Sequence, residues 1–387
     1  MEKKRALVYG LGNMGMVVAW SMEQFGYHVI GLDQRQEMGM GMPPSVDFLP
    51  VKDDDDATKT ITLTNPDIII SSLPYNHIEK VAFASISKGI PYCDLGGSVP
   101  VSKKVNNFGR AQKTPVFTDL GLAPGWVNIL AEHGCNQLLK SGEEIEEVKM
   151  MVGGIPETLQ VANNPLNYMT TWSIDGLINE YRDDCYVLEN GARAKKKGME
   201  GLEHVWSKCL NTELEAFYTS GGAAHSSASM KERDIANCSY KTLRYQGHCE
   251  LVKFLIRDCA LEDEALTQIF NACRNNPQVS KSMIPKDLVL IKVLIRTKTA
   301  AVWDKEVLIR FGGDNNMIQF SAMQKATAFS VSSVAKEMIE GSFDEIVSQT
   351  YGKRCLAYKD VDYEQFMKNI EFLKSKVETN DIPYEQS

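Results

Sequence analysis

The sequence has no apolar run long enough to cross a membrane, since a spanning helix needs roughly 18 or more consecutive apolar residues. It also has no excess of positive charge, because 42 lysines and arginines stand against 50 aspartates and glutamates, a formal net charge of −8. That balance disfavours nucleic acids and anionic membranes as partners. The residues 1–5 lead into a strand-like segment rather than the apolar part of a signal peptide, so we expect a cytoplasmic protein.

Metal-binding patterns are also missing. The nine cysteines form no C-x-x-C pair, and neither they nor the six histidines show a metal-ligand spacing. In a cytoplasmic chain we expect most thiols to be reduced and buried. Asp53–Asp56 is an alternative cation site, but consecutive side chains point in different directions, so we interpret the run as a solvated acidic turn and assign no metal. Met38–Pro44 is interpreted as a flexible loop.

A dinucleotide site is predicted near the start of the chain. The apolar run Ala6–Tyr9 precedes glycines at the G-x-G-x-x-G spacing, and a helix is predicted over Met14–Phe25. The first glycine turns the chain, the second lets the backbone approach a pyrophosphate, and the third lets the helix pack on the strand. The helix N-terminus adds N–H donors and the positive end of its dipole. We therefore assign cofactor binding to Gly10, Leu11, Gly12, Asn13, Met14 and Gly15.

The choice between NAD and NADP depends on two charged residues. Asp33 ends the next predicted strand, His28–Leu32, about 20 residues after the glycine turn, where a carboxylate accepts hydrogen bonds from the ribose 2′-OH. The same carboxylate repels a 2′-phosphate, which favours NAD. Arg35 lies two residues further on and is able to cover a phosphate, so NADP remains the alternative. A βαβ unit that binds no ligand is the other interpretation of the motif.

Repeated strand-and-helix segments follow, with strands predicted in Asp67–Pro74, Pro91–Gly97 and Pro115–Gly125. They predict an α/β fold with a doubly wound parallel sheet of the Rossmann type. Ligands of such sheets bind beyond the carboxyl ends of the strands, so we also assign Ser72, Leu73 and Pro74 to the cofactor. Asp94 and Asp119 each precede a glycine at a strand end, which suggests carboxylates near the cofactor; capping of turns or helices is the alternative.

The pattern changes beyond Trp126. Alternating or β-branched segments lie at Glu147–Gly154, Leu214–Ser220, Asn237–Tyr245, Leu288–Thr297 and Val302–Phe311. They predict an α+β substrate and dimerisation domain over residues 126–319 with a largely antiparallel sheet. The dinucleotide-binding domain takes residues 1–125 and is completed by about 320–387, where Ala322–Ile339 is predicted to be a long helix. Pairing of apolar sheets predicts a homodimer or a higher homo-oligomer.

Six motifs occur in order over most of the chain: S-S-L-P-Y-N-H (Ser71–His77), D-L-G-G (Asp94–Gly97), D-L-G-L-A-P-G (Asp119–Gly125), V-G-G-I-P (Val152–Pro156), T-S-G-G (Thr219–Gly222) and Y-K-T-L-R-Y-Q-G-H (Tyr240–His248). In these motifs the chain resembles the saccharopine dehydrogenase family, and within it most nearly the lysine 6-dehydrogenases. P-Y-N-H resembles instead the saccharopine-cleaving reductases, whereas D-L-G-G and T-S-G-G resemble the lysine enzymes.

The resemblance implies oxidation of an amino acid's C–N bond with NAD(P), giving an imine that water attacks. With lysine the products are the 6-semialdehyde and ammonia. The amine must first lose a proton, so a base with a pKa near neutrality is required. The alternatives are a saccharopine or carboxyalkyl-polyamine reductase, and an NAD-binding sensor without activity.

Site residues are assigned on this basis. Arg244 is the expected partner of the substrate carboxylate, with a structural ion pair as the alternative. For proton transfer we name Asp119, His225, Lys241 and His77, in that order, although Lys241 is equally well explained as an exposed strand residue. Polar contacts with the small-molecule substrate are assigned to Tyr75, Asp94, Thr219 and Ser220.

Overall fold

The structure is a computed structural model that describes residues 3–37, 45–223, 226–274, 286–312, 319–350 and 352–378. The chain divides into two compact units. The first comprises Met1–Ile129, Gly312–Phe320 and Gln324–Ser387, and the second comprises Leu130–Phe311 and Ser321–Met323. The predicted loop Met38–Pro44 lies outside the described residues. Assignment of the units to dinucleotide and substrate binding stays a prediction.

The first unit contains a six-stranded parallel sheet in the order β3-β2-β1-β4-β5-β6. Its strands are β1 (Arg5–Tyr9), β2 (His28–Asp33), β3 (Asp47–Pro50), β4 (Ile68–Ser71), β5 (Tyr92–Asp94) and β6 (Val116–Phe117). Ala6–Tyr9 and Ile68–Ser71 are buried throughout, as expected for central strands that are covered on both faces. The order of strands reverses between β1 and β4, which confirms the predicted doubly wound fold.

Helices connect these strands: α1 (Asn13–Gln24), α2 (Asp54–Thr64), α3 (Tyr75–Ser87) and α4 (Val99–Gln112). The start of α2 corrects the interpretation of Asp53–Asp56 as a turn. Asp53 Oδ1 accepts the N–H of Asp56 at 2.9 Å, and Asp56 Oδ2 accepts the N–H of Lys52 at 3.1 Å. The acidic run therefore caps a helix N-terminus, where negative charge also opposes the helix dipole.

The second unit is built on an eight-stranded mixed sheet with the main path β10-β11-β12-β7-β13-β14. The strands are β7 (Ile145–Pro156), β8 (Asp184–Glu189), β9 (Ala192–Lys197), β10 (Glu203–Ser207), β11 (Thr212–Tyr218), β12 (Asn237–Arg244), β13 (Asp287–Thr297) and β14 (Val302–Arg310). β8 pairs with both β9 and β12. Every pair is antiparallel except β12 with β7, so the predicted largely antiparallel sheet is confirmed, with one parallel pair.

The helices of this part of the chain are α5 (Trp126–Lys140), which begins in the first unit, α6 (Leu159–Ala162), α7 (Ile174–Arg182), α8 (Ser226–Glu232), α9 (His248–Lys253) and α10 (Asp263–Arg274). A π-helical turn, Phe254–Asp258, continues α9. Ile174, Leu177, Ile178 and Tyr181 recur at helical spacing and bury one face of α7 in an aromatic core that includes Phe270.

The last helices, α11 (Ala322–Glu340), α12 (Asp344–Thr350) and α13 (Tyr363–Glu378), complete the first unit from Gln324 onward. The rings of Trp126 and Phe366 lie 5.7 Å apart, and those of Phe25 and Phe372 lie 5.5 Å apart. The Trp126–Phe366 pair is buried, and a buried aromatic pair contributes about 1 kcal/mol beyond the apolar area that it buries. The core of the first unit therefore depends on segments from both ends of the chain.

Glu337 on α11 makes the stability of this core depend on pH. Asn369 Nδ2 donates to its Oε1 at 3.3 Å, and burial, with the negative charge of Asp362, raises the pKa of Glu337 from 4.5 to about 8. Its contribution to stability is therefore present in full below its unfolded pKa and is lost as the pH rises through about 8. We expect Glu337→Gln to raise the free energy of unfolding by roughly 1–3 kcal/mol at about pH 9 and by little at about pH 5.

Urea denaturation at the two pH values measures this difference. The exposed Glu364 on α13 provides the control, since Glu364→Gln is expected to change stability little at either pH. An equal gain for Glu337→Gln at both pH values would contradict the electrostatic explanation.

Candidate active site

The glycine turn between β1 and α1 has the shape that a dinucleotide requires. Gly10 has a φ of +89°, and a Cβ on Gly15 would lie 1.7 Å from Gly10 O. A Cβ on Gly12, in contrast, would meet no atom within 4 Å. Gly12 caps α1, and no side chain accepts a hydrogen bond at this cap. Open space beside the first turn of a helix suits a pyrophosphate, so the residues present fit the cofactor.

The other residues assigned to this end of the cofactor lie around the turn. Leu11 is buried, whereas Asn13 is exposed at the start of α1 and Met14 is half-buried. The N–H of Ser72 donates to Tyr9 O at 2.8 Å, which ties the end of β4 to that of β1. Leu73 Cδ2 and Ser72 O would each lie 3.0 Å from a Cβ on Gly10, so both residues border the turn.

Asp33 is bonded directly to the glycine turn. Its Oδ2 accepts the N–H of Leu11 at 2.7 Å, and its Oδ1 accepts the N–H and Nε of Arg35 at 3.0 Å. Burial alone would raise the pKa of Asp33, but the hydrogen bonds from Arg35 and Leu11 outweigh it and hold the pKa below its ordinary value. Arg35 also donates to Leu11 O at 2.5 Å. An ionised carboxylate and a guanidinium therefore stand together beside the turn.

Pro74, Tyr75 and His77 follow at the start of α3. Pro74 is the N-cap residue, and its carbonyl accepts the N–H of His77 at 2.9 Å. The Tyr75 side chain is exposed, and that of His77 is half-buried. These side chains lie directly after the end of β4, the edge of the sheet where ligands of this fold bind.

Two buried carboxyl groups stand after β5 and β6. Asp94 Oδ1 accepts the N–H of Asp119 at 3.0 Å and that of Gly96 at 2.9 Å. The Tyr92 hydroxyl lies beside Asp94 without reaching hydrogen-bond geometry, and Oδ2 of Asp94 accepts no hydrogen bond from the described residues. Burial, reinforced by the charge of Asp119, raises the pKa of Asp94 to about 7. Asp94 is therefore able to take up and release a proton near neutral pH.

Asp119 is held on both carboxylate oxygens. Ser102 donates to Oδ1 at 2.8 Å and Thr118 to Oδ2 at 3.1 Å, while the Tyr358 hydroxyl donates to its backbone oxygen at 2.8 Å. Its φ of +65° is in the left-handed region, where residues other than glycine are uncommon. These bonds fix the D-L-G turn, and they occupy one lone pair on each carboxylate oxygen.

The second unit holds a buried cluster around Arg244, the last residue of β12. Its guanidinium lies 4.7 Å from the centre of the Tyr168 ring, and its Nε donates to Tyr181 Oη at 3.2 Å. Nη1 donates to Leu243 O at 2.9 Å. No carboxylate of the described residues lies within 4 Å of this guanidinium, so Arg244 forms no structural ion pair with any of them. The buried Tyr168 hydroxyl lies beside the Trp172 side chain without reaching hydrogen-bond geometry.

His248 fixes the orientation of Arg244 through Tyr181. Its Nδ1 lies 2.9 Å from Leu166 O, which only accepts, so we assign the proton to Nδ1. Burial, together with the charge of Arg244, lowers the pKa of His248 to about 3, and the ring is therefore neutral. Nε2 then accepts the Tyr181 hydroxyl proton over 2.9 Å. The Tyr181 oxygen is left to accept Nε of Arg244, which holds the guanidinium in one orientation.

Thr219 and Ser220 follow β11 in the same unit. Thr219 is buried, and its hydroxyl pairs with that of Thr242 at 2.7 Å. The N–H of Ser220 donates to the backbone oxygen of Glu180 at 3.0 Å. The loop that carries the assigned polar residues is thus joined to β12 and α7, the elements that supply the Arg244 cluster.

Lys241 is not brought together with Arg244. The two residues are three positions apart on β12 and so project from opposite faces of the strand. Lys241 Nζ lies 2.8 Å from Glu203 Oε1 and donates to Gly201 O at 2.5 Å. These contacts hold its ammonium group as a structural cation. His225 lies outside the described residues.

Glu180 on α7 is the residue of this cluster that sequence reasoning missed. It is half-buried, and burial raises the pKa of its carboxyl to about 8, partly offset by the charge of Arg244. Helical periodicity predicts the face that α7 buries, but no local signal indicates that Glu180 lies near Arg244, because the two are far apart in the sequence. The motif Y-K-T-L-R-Y-Q-G-H contains His248, yet its spacing does not reveal the bond to Tyr181.

Comparison with known proteins establishes the family. Residues 121–371, well over half of the chain, match the family described as the saccharopine dehydrogenase C-terminal domain. The chain belongs to the saccharopine dehydrogenase family. Its similarity to individual relatives is low: saccharopine dehydrogenase (NADP(+), L-glutamate-forming) of Schizosaccharomyces pombe is 24% identical over 220 residues, and that of Saccharomyces cerevisiae is 24% identical over 227 residues.

These alignments cover 54% and 56% of this chain and 46% and 48% of the two relatives, so the chain spans about half the length of the relatives that it matches. The fold is similar to that of apo histidine-tagged saccharopine dehydrogenase (L-Glu forming) from Saccharomyces cerevisiae, with a TM-score of 0.70 and 16% sequence identity. The superposition covers 96% of this chain and 97% of that structure. That likeness concerns the fold. These comparisons confirm the family that the motifs predicted. They do not distinguish a lysine 6-dehydrogenase from a saccharopine dehydrogenase.

Two features are absent from the residues that the structure describes. No helix among them combines the length and the apolarity needed to cross a bilayer. In the same part of the chain, no three histidine, cysteine, aspartate or glutamate side chains come together as ligands for a metal ion.

Proposed function

We propose that the protein is a nicotinamide-dinucleotide-dependent dehydrogenase that oxidises the terminal C–N bond of lysine to the 6-semialdehyde, with release of ammonia. The observation that carries the proposal is the buried guanidinium of Arg244, which has no carboxylate within 4 Å in the described part of the chain. Two of its five N–H groups donate to Tyr181 and Leu243, and a buried cation with the remaining three suits a substrate carboxylate. The glycine turn at Gly12 supports the cofactor half of the proposal. The bound dinucleotide supplies the two-electron oxidant.

Asp94 is the proposed proton acceptor. The reaction needs a base with a pKa near neutrality, and Asp94 has a pKa of about 7 and one oxygen without a hydrogen bond from the described residues. Asp119, in contrast, accepts a hydrogen bond on each oxygen, and Lys241 is paired with Glu203. Its other oxygen is held by two backbone N–H groups, which fix the carboxyl in place. His77 stays a second candidate, because it lies at the same edge of the sheet.

If Asp94 is the base, activity depends on its ionised form. We expect kcat/KM of the wild type to fall as the pH drops below about 7, and this limb of the profile to vanish in Asp94→Asn, with a loss of rate of roughly 100-fold or more. The Asn side chain retains an oxygen that accepts both backbone N–H groups, so the fold is expected to persist. Asp47→Asn, at an exposed carboxylate of β3, is the control. An unchanged acidic limb in Asp94→Asn would remove the assignment.

We propose NAD as the preferred cofactor, because the ionised Asp33 repels a 2′-phosphate. The alternative, NADP, is supported by Arg35 and by the names of the two relatives, both of which are NADP(+) enzymes. If Arg35 serves as a phosphate partner, Arg35→Ala is expected to weaken NADP binding roughly 10-fold while changing NAD binding little. Titration of the wild type and the variant with both reduced coenzymes, followed by fluorescence, measures the two affinities. NADP binding that is unaffected in the variant would exclude Arg35 from that role.

A saccharopine or carboxyalkyl-polyamine reductase is the second candidate, favoured by the names of the relatives and by P-Y-N-H at residues 74–77. A substrate with a second carboxylate calls for a second cation near the first. Arg244 is the cation that acts most strongly on the described residues around it, namely Tyr168, Glu180, Tyr181, Tyr240 and His248. This single positive charge supports lysine over saccharopine.

The deciding experiment offers lysine, saccharopine, ornithine and polyamines to the purified protein with NAD and with NADP, and follows the absorbance of the reduced nicotinamide. We expect turnover with lysine. Turnover with saccharopine alone would establish the second candidate. Coenzyme binding without turnover of any substrate would indicate a sensor that has kept the fold and lost the reaction.

A further inference from the structure

Three buried side chains that carry oxygen atoms lie next to one another on one face of the parallel sheet. In the pairing of β4 with β5, Ser71 is the Cα partner of Asp94, so the two side chains project from the same face. Tyr92 lies two positions before Asp94 on β5 and shares that face. Each of the three residues is at most 1% exposed. The strand register therefore brings their polar groups together out of contact with water.

The oxygen atoms of these side chains have one another as neighbours. Ser71 Oγ, Tyr92 Oη and Asp94 Oδ2 are buried, and none of them reaches hydrogen-bond geometry with an atom of the described residues. The Tyr92 hydroxyl nevertheless lies beside the side chains of both Ser71 and Asp94. Buried polar groups are normally hydrogen-bonded. Because a hydroxyl both donates and accepts, the two hydroxyls are able to form a chain that ends on the carboxyl.

The ionised form of Asp94 depends on such donors. Its Oδ1 accepts the backbone N–H groups of Gly96 and Asp119, but no cation in the described part of the chain lies within 4 Å of either oxygen. Burial favours the neutral form of a carboxyl unless hydrogen bonds or positive charge stabilise the ion. The Tyr92 hydroxyl is the donor that stands beside this carboxyl from the side of the sheet face.

We propose that Tyr92 is a positioning residue for Asp94: its hydroxyl donates to Oδ2 of the ionised carboxyl, and the Ser71 hydroxyl donates to Tyr92 Oη. The inference rests on the proposed function only in taking Asp94 as the proton acceptor. When a proton moves from the substrate ammonium to Oδ2, the chain reverses. The new O–H then donates to Tyr92 Oη, and Tyr92 donates to Ser71 Oγ, so the carboxyl is held in both protonation states.

The chain stabilises the ionised state more than the neutral one. A hydrogen bond to a carboxylate is roughly twice as strong as one between neutral groups. Removal of the Tyr92 hydroxyl therefore costs the ion more than the neutral acid. We expect the pKa of Asp94 to rise from about 7 in the wild type to about 8 or higher in Tyr92→Phe. The phenyl ring keeps the apolar contacts of Tyr92 in the core of the sheet.

The other titratable groups that act on Asp94, or on which it acts, lie on three elements. Cys93 precedes it on β5, Asp119 follows β6, and Tyr358 lies in the turn before α13. Burial raises the pKa of Cys93 and of Tyr358 well above the ordinary values, so both stay neutral near pH 7. Asp119 adds to the effect of burial on Asp94, and the substitution leaves Asp119 in place. A change in the pKa of Asp94 in Tyr92→Phe therefore reports the lost hydroxyl.

The test is infrared difference spectroscopy of the full chain as a function of pH, without coenzyme or substrate. The carbonyl stretch of the protonated Asp94 carboxyl is identified by its absence in Asp94→Asn. We expect the titration of this band to move to higher pH by about one unit or more in Tyr92→Phe and by less in Ser71→Ala. Adding Ser71→Ala to Tyr92→Phe is expected to have no further effect, since Ser71 acts through Tyr92. Tyr186→Phe, at an exposed tyrosine that stacks on Arg193, is the matched control.

A pKa of Asp94 that is unchanged or lowered in Tyr92→Phe would overturn the inference, as would an effect of Ser71→Ala that persists undiminished without the Tyr92 hydroxyl. Should Tyr92→Phe fail to fold, Ser71→Ala decides, and an unchanged pKa in that variant rejects the chain. In active protein, the acidic limb of kcat/KM is expected to move with the infrared titration. If the infrared shift is found and no substrate reduces a coenzyme, the proposed function fails while this inference stands.

Discussion

Gly12→Ala is expected to abolish dinucleotide binding in a protein that remains folded. The added Cβ would meet no protein atom within 4 Å, so the substitution introduces no clash and the thermal midpoint should change little. That same space is where a pyrophosphate approaches the backbone, and the methyl group would prevent the approach. Loss of charge-assisted backbone hydrogen bonds is expected to weaken binding roughly 100-fold or more. Fluorescence titration with reduced coenzyme measures the loss, and thermal denaturation measures the stability.

Gly15→Ala provides the comparison within the same motif. Its Cβ would lie 1.7 Å from Gly10 O, a backbone atom that cannot be displaced without moving β1 or α1. We expect a loss of stability of about 3 kcal/mol. One glycine of the motif therefore serves the ligand and another serves the fold. Equal destabilisation by the two substitutions, or coenzyme affinity retained in Gly12→Ala, would contradict this division.

Arg244→Ala is expected to raise KM for the amino-acid substrate roughly 100-fold or more, because removing one partner of a desolvated charge pair costs several kcal/mol. The expected effect on kcat is smaller, since the carboxylate is bound in both the ground state and the transition state. Steady-state kinetics over a range of substrate concentrations separates the two constants. The affinity for coenzyme is expected to remain unchanged, because Arg244 is assigned to the substrate and the glycine turn to the coenzyme.

Two further variants sharpen this experiment. Arg244→Lys keeps the charge but loses the planar fork and the bond from Nε to Tyr181, so an intermediate KM is expected. Arg193→Ala, at an exposed arginine of β9 that stacks on Tyr186, is expected to behave as the wild type. A KM that is unchanged in Arg244→Ala would remove the assignment of the carboxylate partner.

The first unit could be predicted from sequence because its signals are local. The run Ala6–Tyr9, the three glycines and Asp33 lie within about thirty residues of one another, and each has a specific task in a βαβ unit. The five strands predicted in the second unit, among them Leu288–Thr297, were found for a similar reason. Their buried β-branched residues indicate strands without any knowledge of their partners.

The features that could not be predicted arise from contacts between distant residues. β9, with the sequence A-R-A-K-K-K, is largely exposed and shows no alternation of apolar and polar residues, so no pattern marked it as a strand. The parallel pairing of β12 with β7 depends on the path of the chain between them. Asp119 illustrates the same limit at the site: the position of its carboxylate after β6 could be predicted, but the bonds from Ser102 and Thr118 that engage both oxygens could not.

The division of the chain between the two units has a consequence for its synthesis. The second unit is almost continuous, from Leu130 to Phe311, whereas the first needs both the opening strands and the helices after Gln324. As the polypeptide leaves the ribosome, the second unit is therefore complete while the first still lacks the rings of Phe366 and Phe372 that pack on Trp126 and Phe25. Until α13 has been synthesised, the nascent parallel sheet of the first unit has to persist with part of its apolar surface uncovered.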